Sequence, residues 1–322
     1  MELNKFLAEW HNDNPRILVH TSGSTGKPKP LMVEKRRMLN SARITCDFLG
    51  LKPGDTALLC MPLDYIAGKM MVVRSLQRDL RLTSVRPSSH PLADETLPSF
   101  TFAAMVPMQV YNTLKVPCER ERLMRIRHLI IGGGAISDEL AQMIKPLPNA
   151  VWSTYGMTET LSHIALRRLN GPDASLWYTP FDGVGISLNA DGCLVIDAPE
   201  VCAEPLATND IALLRTDDRT GKTLFRIKGR KDNVVCSGGI KIQIEEVEEA
   251  LRPHLSSPFM IVKKQDEMLG EKAILLTESA DLTHIEEICR NTLPKYWVPR
   301  EFLHIDHLPL TETGKPKRSG AF

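Results

Sequence analysis

His20-Thr21-Ser22-Gly23-Ser24-Thr25-Gly26-Lys27-Pro28-Lys29 is the stretch on which the reading of this chain turns. Gly23 and Gly26 let the backbone bend so that successive N–H groups point inward. Thr21, Ser22, Ser24 and Thr25 add hydroxyl donors, and Lys27 adds a compact positive charge. A loop of this chemistry suits a polyphosphate. The apolar run Arg16-Ile17-Leu18-Val19-His20 before it reads as a buried strand that delivers the loop at its carboxyl end. The loop is not the P-loop of nucleoside triphosphatases. That motif needs four residues before a Gly-Lys pair and then Ser or Thr. Here two residues separate Gly23 from Gly26, and Pro28 follows Lys27.

The chain has 322 residues, more than one simple core holds, and 43% of them are hydrophobic. Lys and Arg number 40 against 39 Asp and Glu, so charge gives no support for nucleic-acid binding. No apolar run is long enough to span a bilayer, and Met1-Glu2-Leu3-Asn4-Lys5 does not begin a signal peptide. The seven cysteines are scattered and contain no C-x-x-C pair, which fits a reducing cytoplasm. A structural metal site or a thiol nucleophile is disfavoured. His304 and His307 read as surface residues.

From residue 16 to about 156, apolar strands alternate with helical patterns. Strands are expected at Thr56–Met61, Thr101–Val106, His128–Ile131 and Ala150–Thr154, a helix from Pro107, and an N-cap at Ser137. Continuous apolar strands between helices predict a mostly parallel sheet covered on both faces, with ligands at the carboxyl ends of its strands. Loops 21–27, 132–135 and 155–159 sit where that rule wants them. After Gly171-Pro172 short strands separated by Asp/Gly turns suggest an antiparallel sub-barrel. Beyond Gly229-Arg230-Lys231-Asp232 a small α+β domain is expected, with Thr283-His284-Ile285-Glu286 as a capping box. The chain divides in this reading into residues 1–230 and 231–322.

Tyr155-Gly156-Met157-Thr158-Glu159 places an aromatic ring, a hydroxyl and a carboxylate in quick succession after a strand. Tyr155 suits the face of a purine, Thr158 a phosphate oxygen, and Glu159 a magnesium ion that bridges phosphates. A tyrosine packed at a strand end is the plain alternative. Together with the loop at 21–27, this motif resembles the acyl-adenylate-forming enzymes: acyl- and aryl-CoA synthetases, peptide-synthetase adenylation domains and beetle luciferases. The resemblance runs from residue 16 to 318, with the motifs in order. It implies that Gly133-Gly134-Ala135 lies along the adenine, that Gly156 belongs to the nucleotide loop and that Asp210 accepts from the ribose hydroxyls. It also implies that Arg230 contacts the ribose end and that Asp232 is the hinge of a mobile C-terminal lid. Gly238-Gly239 would line the thiol's tunnel, and Lys315 would be the catalytic lysine. Thr158 and Glu159 join Lys315 in the chemistry, with ATP, Mg2+ and coenzyme A as cofactors. Pro30 and Asn209 stand where the family usually has glycine. Only about twenty residues precede the phosphate loop, so part of the usual N-terminal subdomain is expected to be absent or reduced.

The implied reaction activates a small carboxylic acid with MgATP as an acyl-adenylate and transfers it to a thiol. The run Thr154–Ala165 resembles o-succinylbenzoate–CoA ligases of menaquinone synthesis most closely. Tyr65, in Met61-Pro62-Leu63-Asp64-Tyr65, is a candidate wall of the acyl pocket. Lys69, His163 and Arg167 are candidates to hold a distal carboxylate by charge-assisted bonds. Two other readings stay open: an adenylating enzyme that loads a carrier protein, and a nucleotide-binding protein that has lost catalysis. Neither a nucleic acid nor a membrane is an expected partner, and a homo-oligomer is left open.

Overall fold

A computed structural model describes residues 2–20, 30–134, 136–310 and 317–318. The chain forms two compact units. The first gathers Met1–Ile186, Ile196–Leu206 and Leu214–Phe225; the second gathers Ser187–Val195, Ala207–Leu213 and Arg226–Phe322.

In the first unit α1 (Leu3–His11) precedes β1 (Arg16–His20) and β2 (Pro30–Glu34). These strands pair antiparallel, from Arg16 opposite Glu34 to His20 opposite Pro30, and make a sheet of their own. The sequence reading assigns Arg16–His20 to the parallel set, and the structure corrects it. Only residues 21–29 separate β1 from β2, too few for the crossover of about a dozen residues that a parallel neighbour requires. The strand-forming run Leu31-Met32-Val33 is therefore its partner, with Pro30 at the first position of the strand, where a missing N–H is tolerated. β1 is buried on one face only: Ile17 and Val19 point inward while Leu18 is 41% exposed.

Next come α2 (Lys35–Phe48), β3 (Thr56–Leu59), α3 (Ile66–Arg78), β4 (Arg81–Ser84), β5 (Phe102–Met105), α4 (Pro107–Lys115) and α5 (Pro117–Met124). They are followed by β6 (His128–Ile131), α6 (Asp138–Ile144), β7 (Ala150–Gly156), β8 (His163–Arg168) and β9 (Thr179–Pro180). The strands β3 to β9 build one sheet in the order β4-β3-β5-β6-β7-β8-β9. The pairs from β4 to β7 are parallel, and β8 and β9 add antiparallel pairs. All four residues of β5 and the last three of β3 and β6 are buried, as a sheet covered on both faces requires. α3 buries Met70, Met71, Val72 and Val73 in succession, so it is an interior helix rather than an amphipathic surface one. Pro107 starts α4, and the Ser137 hydroxyl caps α6 by accepting from Leu140 N at 3.2 Å.

The next four strands, β10 (Gly185–Leu188), β11 (Cys193–Asp197), β12 (Leu206–Thr216) and β13 (Thr223–Arg230), each lie beside their sequence neighbour, the order of a meander. Beyond them are β14 (Val234–Ser237), β15 (Ile240–Gln243), α7 (Ile244–Leu251), β16 (Phe259–Asp266), β17 (Gly270–Thr277), α8 (Leu282–Thr292) and β18 (Glu301–His304). Strand β17 pairs with β16 along its length, with β14 at Gly270, and in parallel with β18. Val235, Ile242, Val247, Leu251, Ile261 and Leu275 are the centre of this core. The cap of α8 differs from the expected one. Asp281 accepts from His284 N at 3.0 Å and Thr283 lies inside the helix, because an aspartate two positions earlier caps at least as well as a threonine. No helix of the described residues is long and apolar enough to cross a membrane.

Gly238 and Gly239 join β14 to β15 with φ of +56° and +83°. Positive φ at both central residues is what a two-residue type I′ hairpin demands. A Cβ on Gly239 meets nothing within 4 Å, so the cost of Gly239→Ala is conformational. We expect a loss of about 1–2 kcal/mol in urea unfolding; an unchanged midpoint and slope contradicts this account of the turn.

Candidate active site

The glycine turn and the Tyr155 motif follow the carboxyl ends of adjacent parallel strands, β6 and β7. Gly133 has φ +81°, and a Cβ on Gly132 would overlap the Thr154 hydroxyl, so backbone alone fits there. The Tyr155 ring meets Phe225 edge-on at 5.0 Å and Tyr178 at 5.7 Å, and Tyr178 stacks on Phe225 at 5.3 Å. A hydroxyl–hydroxyl bond of 2.9 Å ties Tyr178 to Ser153 on β7. The ring is thus held by an aromatic cluster at the strand end, a platform suited to a purine.

After Tyr155 the chain reverses tightly into β8. A Cβ on Gly156 would come within 2.5 Å of His163 Cα and collide with the Ser162 carbonyl. The Thr160 hydroxyl accepts from Met157 N at 2.9 Å and lies 2.6 Å from the Ser162 carbonyl oxygen. Leu161 takes a left-handed φ of +64° and donates its N–H to the Thr158 carbonyl at 2.9 Å. Thr158 is buried while Glu159 is exposed. Among the described residues no cluster of three or more His, Cys, Asp or Glu could hold a metal ion. A single exposed carboxylate fits a magnesium ion that takes its other ligands from phosphates and water.

The sequence reading treats Lys69, His163 and Arg167 alike as cations for a distal carboxylate, and the structure separates them. Lys69, 1% exposed, donates its ammonium to the Leu18 carbonyl at 2.6 Å and ties α3 to β1; burial lowers its pKa. His163 is buried, and burial, then the charge of Arg74, holds its pKa well below the ordinary value. Its ring is neutral and supplies no charge. The Arg167 guanidinium lies 5.3 Å from the centre of the Tyr178 ring, and its Nε has no hydrogen-bond partner among the described residues. Tyr65 stands at the N-terminus of α3, 38% exposed.

The cation of this cluster is one that sequence reasoning missed. Arg74, on α3, is 2% exposed. Its Nη2 donates to the Ser162 hydroxyl at 2.6 Å and lies 3.5 Å from His163 Nδ1. Among the described residues it has no carboxylate partner, and its Nε finds no acceptor. Burial pushes its pKa down to about 10, so it remains charged at neutral pH. A chain of bonds orders the cluster. Thr45 donates to the Ser41 carbonyl, leaving its oxygen to accept from His163 Nε2 at 3.2 Å. His163 Nδ1 then accepts from Ser162 at 3.1 Å, and Ser162 accepts from Arg74. An arginine closing the apolar run Met70-Met71-Val72-Val73 is the signal that would have found it.

In the second unit Asp210, Arg230 and Asp232 meet in one network. Arg230 Nη1 lies 3.3 Å from Asp210 and Nη2 donates to Asp232 at 2.8 Å, while Asn209 donates to Asp232 at 3.3 Å. Thr208 accepts from Asp210 N at 3.0 Å and fixes the turn that presents the carboxylate. Burial opposes the Arg230 charge, but the Asp232 bond and the nearby carboxylates outweigh it and raise the pKa. Thr21, Ser22, Gly23, Ser24, Thr25, Gly26, Lys27, Ala135 and Lys315 lie outside the described residues.

Two outcomes follow from this geometry. Replacing Gly156 with alanine forces backbone apart at the β7–β8 reversal, and we expect a thermal destabilisation of at least about 2 kcal/mol; a variant as stable as the parent refutes the close approach. The His163 effect concerns pH. Its folded pKa is depressed, so below the unfolded value near 6.5 the unfolded state binds the extra proton and stability falls as pH falls. His163→Gln should reduce the slope of stability against pH by up to about 1.4 kcal/mol per unit in that range. Denaturation at pH 5, 6 and 7 measures it, and parallel curves for the two proteins exclude it.

Residues 4–203 match the family model described as AMP-binding enzyme. The chain is 26% identical to the 2-succinylbenzoate–CoA ligase of Bacillus mycoides over 342 aligned positions, covering 95% of this chain and 69% of that protein. It spans about two thirds of the length of such relatives. A Dyadobacter fermentans crystal structure, titled an acyl-CoA synthetase (AMP-forming)/AMP-acid ligase II-like protein, is 34% identical with a TM-score of 0.68; the match covers 98% of this chain and 91% of that one. The o-succinylbenzoate coenzyme A synthetase of Bacillus subtilis, in complex with ATP and magnesium ion, shares the fold at 23% identity and a TM-score of 0.74, over 94% of this chain and 69% of that one. The chain belongs to the AMP-binding enzyme family.

Proposed function

We propose that the protein is an AMP-forming acid–CoA ligase acting on o-succinylbenzoate. The observation that carries this reading is the placement of Gly132–Gly134 and Tyr155–Glu159 at the carboxyl ends of adjacent parallel strands, in a chain whose relatives are named for that ligation. The acid's carboxylate oxygen attacks the α-phosphorus of ATP, the bond to the β-phosphate oxygen breaks, and pyrophosphate leaves. The thiol of coenzyme A then attacks the acyl carbon, AMP departs, and the thiol proton is released. Both partners of the first step are anions, so the protein must supply aligned positive charge and hydrogen-bond donors.

Tyr155 packs the purine, Thr158 donates to a phosphate oxygen, and Asp210 accepts from the ribose hydroxyls with Arg230 beside it. Lys27 and its loop take the polyphosphate, and Lys315 bridges carboxylate and phosphate oxygens. Glu159 would hold the magnesium ion, which supplies charge neutralisation to the phosphates. Asp232 is the proposed pivot of residues 231–322, and Gly238-Gly239 the proposed thiol-lining turn. Arg74 anchors the acid's second carboxylate. A buried guanidinium with no carboxylate of its own is a site for an anion, and the bonded Ser162 and His163 orient it. We place the reaction in the cytoplasm, in keeping with seven free cysteines, five of them buried.

Acid-dependent ATP–pyrophosphate exchange is the direct test. o-Succinylbenzoate should support exchange, and Lys315→Ala should lower it by about 10²-fold or more. A folded protein that exchanges with no aryl or acyl acid excludes the reading. Arg74→Met should raise KM for the dicarboxylic acid by about 10- to 100-fold, the scale of a hydrogen-bonded charge. The same variant should unfold no earlier than the parent, because it removes an unpaired buried charge. Equal KM values would assign Arg74 a structural role.

A further inference from the structure

We infer that the Glu248–Arg318 ion pair is a positioning device for the adenylation step, holding the base of the tail that carries Lys315. The inference rests on the proposed function and adds two residues to it. Glu248, on α7, is 5% exposed. Arg318 meets it as a fork, Nη1 to Oε1 at 2.7 Å and Nη2 to Oε2 at 2.8 Å. The same Nη1 donates to the Ile261 carbonyl at 2.7 Å, and Ile261 N donates to Glu248 Oε1 at 2.8 Å. The pair is thereby built into the α7–β16 packing, with the two side chains 16% and 7% exposed. One residue earlier, Lys317 N donates to the Pro309 carbonyl at 2.8 Å, a second tie beside that of Arg318.

The consequence is a matter of reach. Arg318 is three positions after Lys315, so the two Cα atoms are at most about 11 Å apart even in a fully extended chain. An ammonium that must bridge two oxygens in a transition state works only if its chain is anchored, because small misplacements cost rate steeply. A lysine at 318 could neutralise Glu248 as a point charge. It could not make the fork and the Ile261 bond together, so geometry rather than charge is what arginine adds.

The test is a double-mutant cycle in the full chain, read by o-succinylbenzoate-dependent ATP–pyrophosphate exchange. Arg318→Lys should lower the exchange kcat by about 10- to 100-fold while KM for ATP stays within about twofold. In a Lys315→Ala background the same change should alter exchange by less than about twofold, because there is no lysine left to position. An equal loss in both backgrounds, or no loss in either, overturns the inference. Wild-type exchange by Lys315→Ala alone is a separate result and removes the lysine's proposed role. Should Arg318→Lys fail to fold, Glu248→Gln takes its place in the same cycle: a loss confined to the Lys315 background supports the inference, and any other pattern overturns it.

Discussion

The close approach of Gly156 to Ser162 and His163 is the constraint on which the first unit's site depends. The sheet is parallel through β7, and continuing it in parallel would need another long crossover. Instead six residues, 157–162, return the chain as β8, and that reversal fits only where no side chain intervenes. Leu161 in the left-handed region and the Thr160 hydroxyl between Met157 and Ser162 complete the reversal. Each consequence is local. Tyr155 is set at the strand end against Phe225 and Tyr178, Thr158 is drawn in, and Glu159 is left in solvent. On the far side Ser162 and His163 emerge facing Arg74. One glycine joins the Tyr155–Glu159 motif to the Arg74 cluster.

The electrostatics of that cluster run against stability. A guanidinium taken out of water with neutral neighbours loses hydration and gains only neutral acceptors, and an apolar residue of similar volume would usually be no worse. His163 gives partial compensation by remaining neutral, since a second cation 3.5 Å away would add repulsion to desolvation. The bond chain from Ser41 through Thr45, His163 and Ser162 then leaves little rotational freedom around Arg74. A fixed, charged and incompletely bonded guanidinium is preorganised for an anion, and preorganisation lowers the ordering cost that binding would otherwise meet.

Strands buried on both faces announce themselves as apolar runs, so β3, β5 and β6 were legible in the sequence, and β7, whose burial alternates, was legible from the run Ala150–Thr154. So were the Pro107 and Ser137 helix starts. Pairing was legible only where connection length settles it. β1 reads like its parallel cousins until the nine-residue span to β2 is weighed. β8 was missed because His163-Ile164-Ala165-Leu166-Arg167-Arg168 follows a motif whose chemistry draws attention from its conformation. The backbone-demanding positions Gly133 and Gly156 in the first unit and Gly238 and Gly239 in the second were visible because glycine has few other uses there. The roles of Lys69 and Arg74 were not. Both are basic residues on α3, and only burial and the identity of the acceptor separate a clamp on Leu18 from a cation with no carboxylate partner among the described residues.

In the second unit Arg230 is divided between two carboxylates whose proposed tasks differ. Asp232 holds it at 2.8 Å from a single 3₁₀ turn, Lys231–Asn233, while Asp210 lies at 3.3 Å on β12. A short turn of this kind can absorb backbone rotation without breaking a helix or a strand. Rotation there would move Asp232 relative to Arg230, and the guanidinium would then lean on Asp210 alone. Asp210 would accept from a ribose with a cation still beside it, and its carboxylate would stay charged as Asp232 turned. Asn209 supports this division. It stands where the family usually has glycine, and its amide donates to Asp232, adding a polar tie to the same turn. The substitution therefore bears on the proposed pivot rather than on the proposed ribose contact.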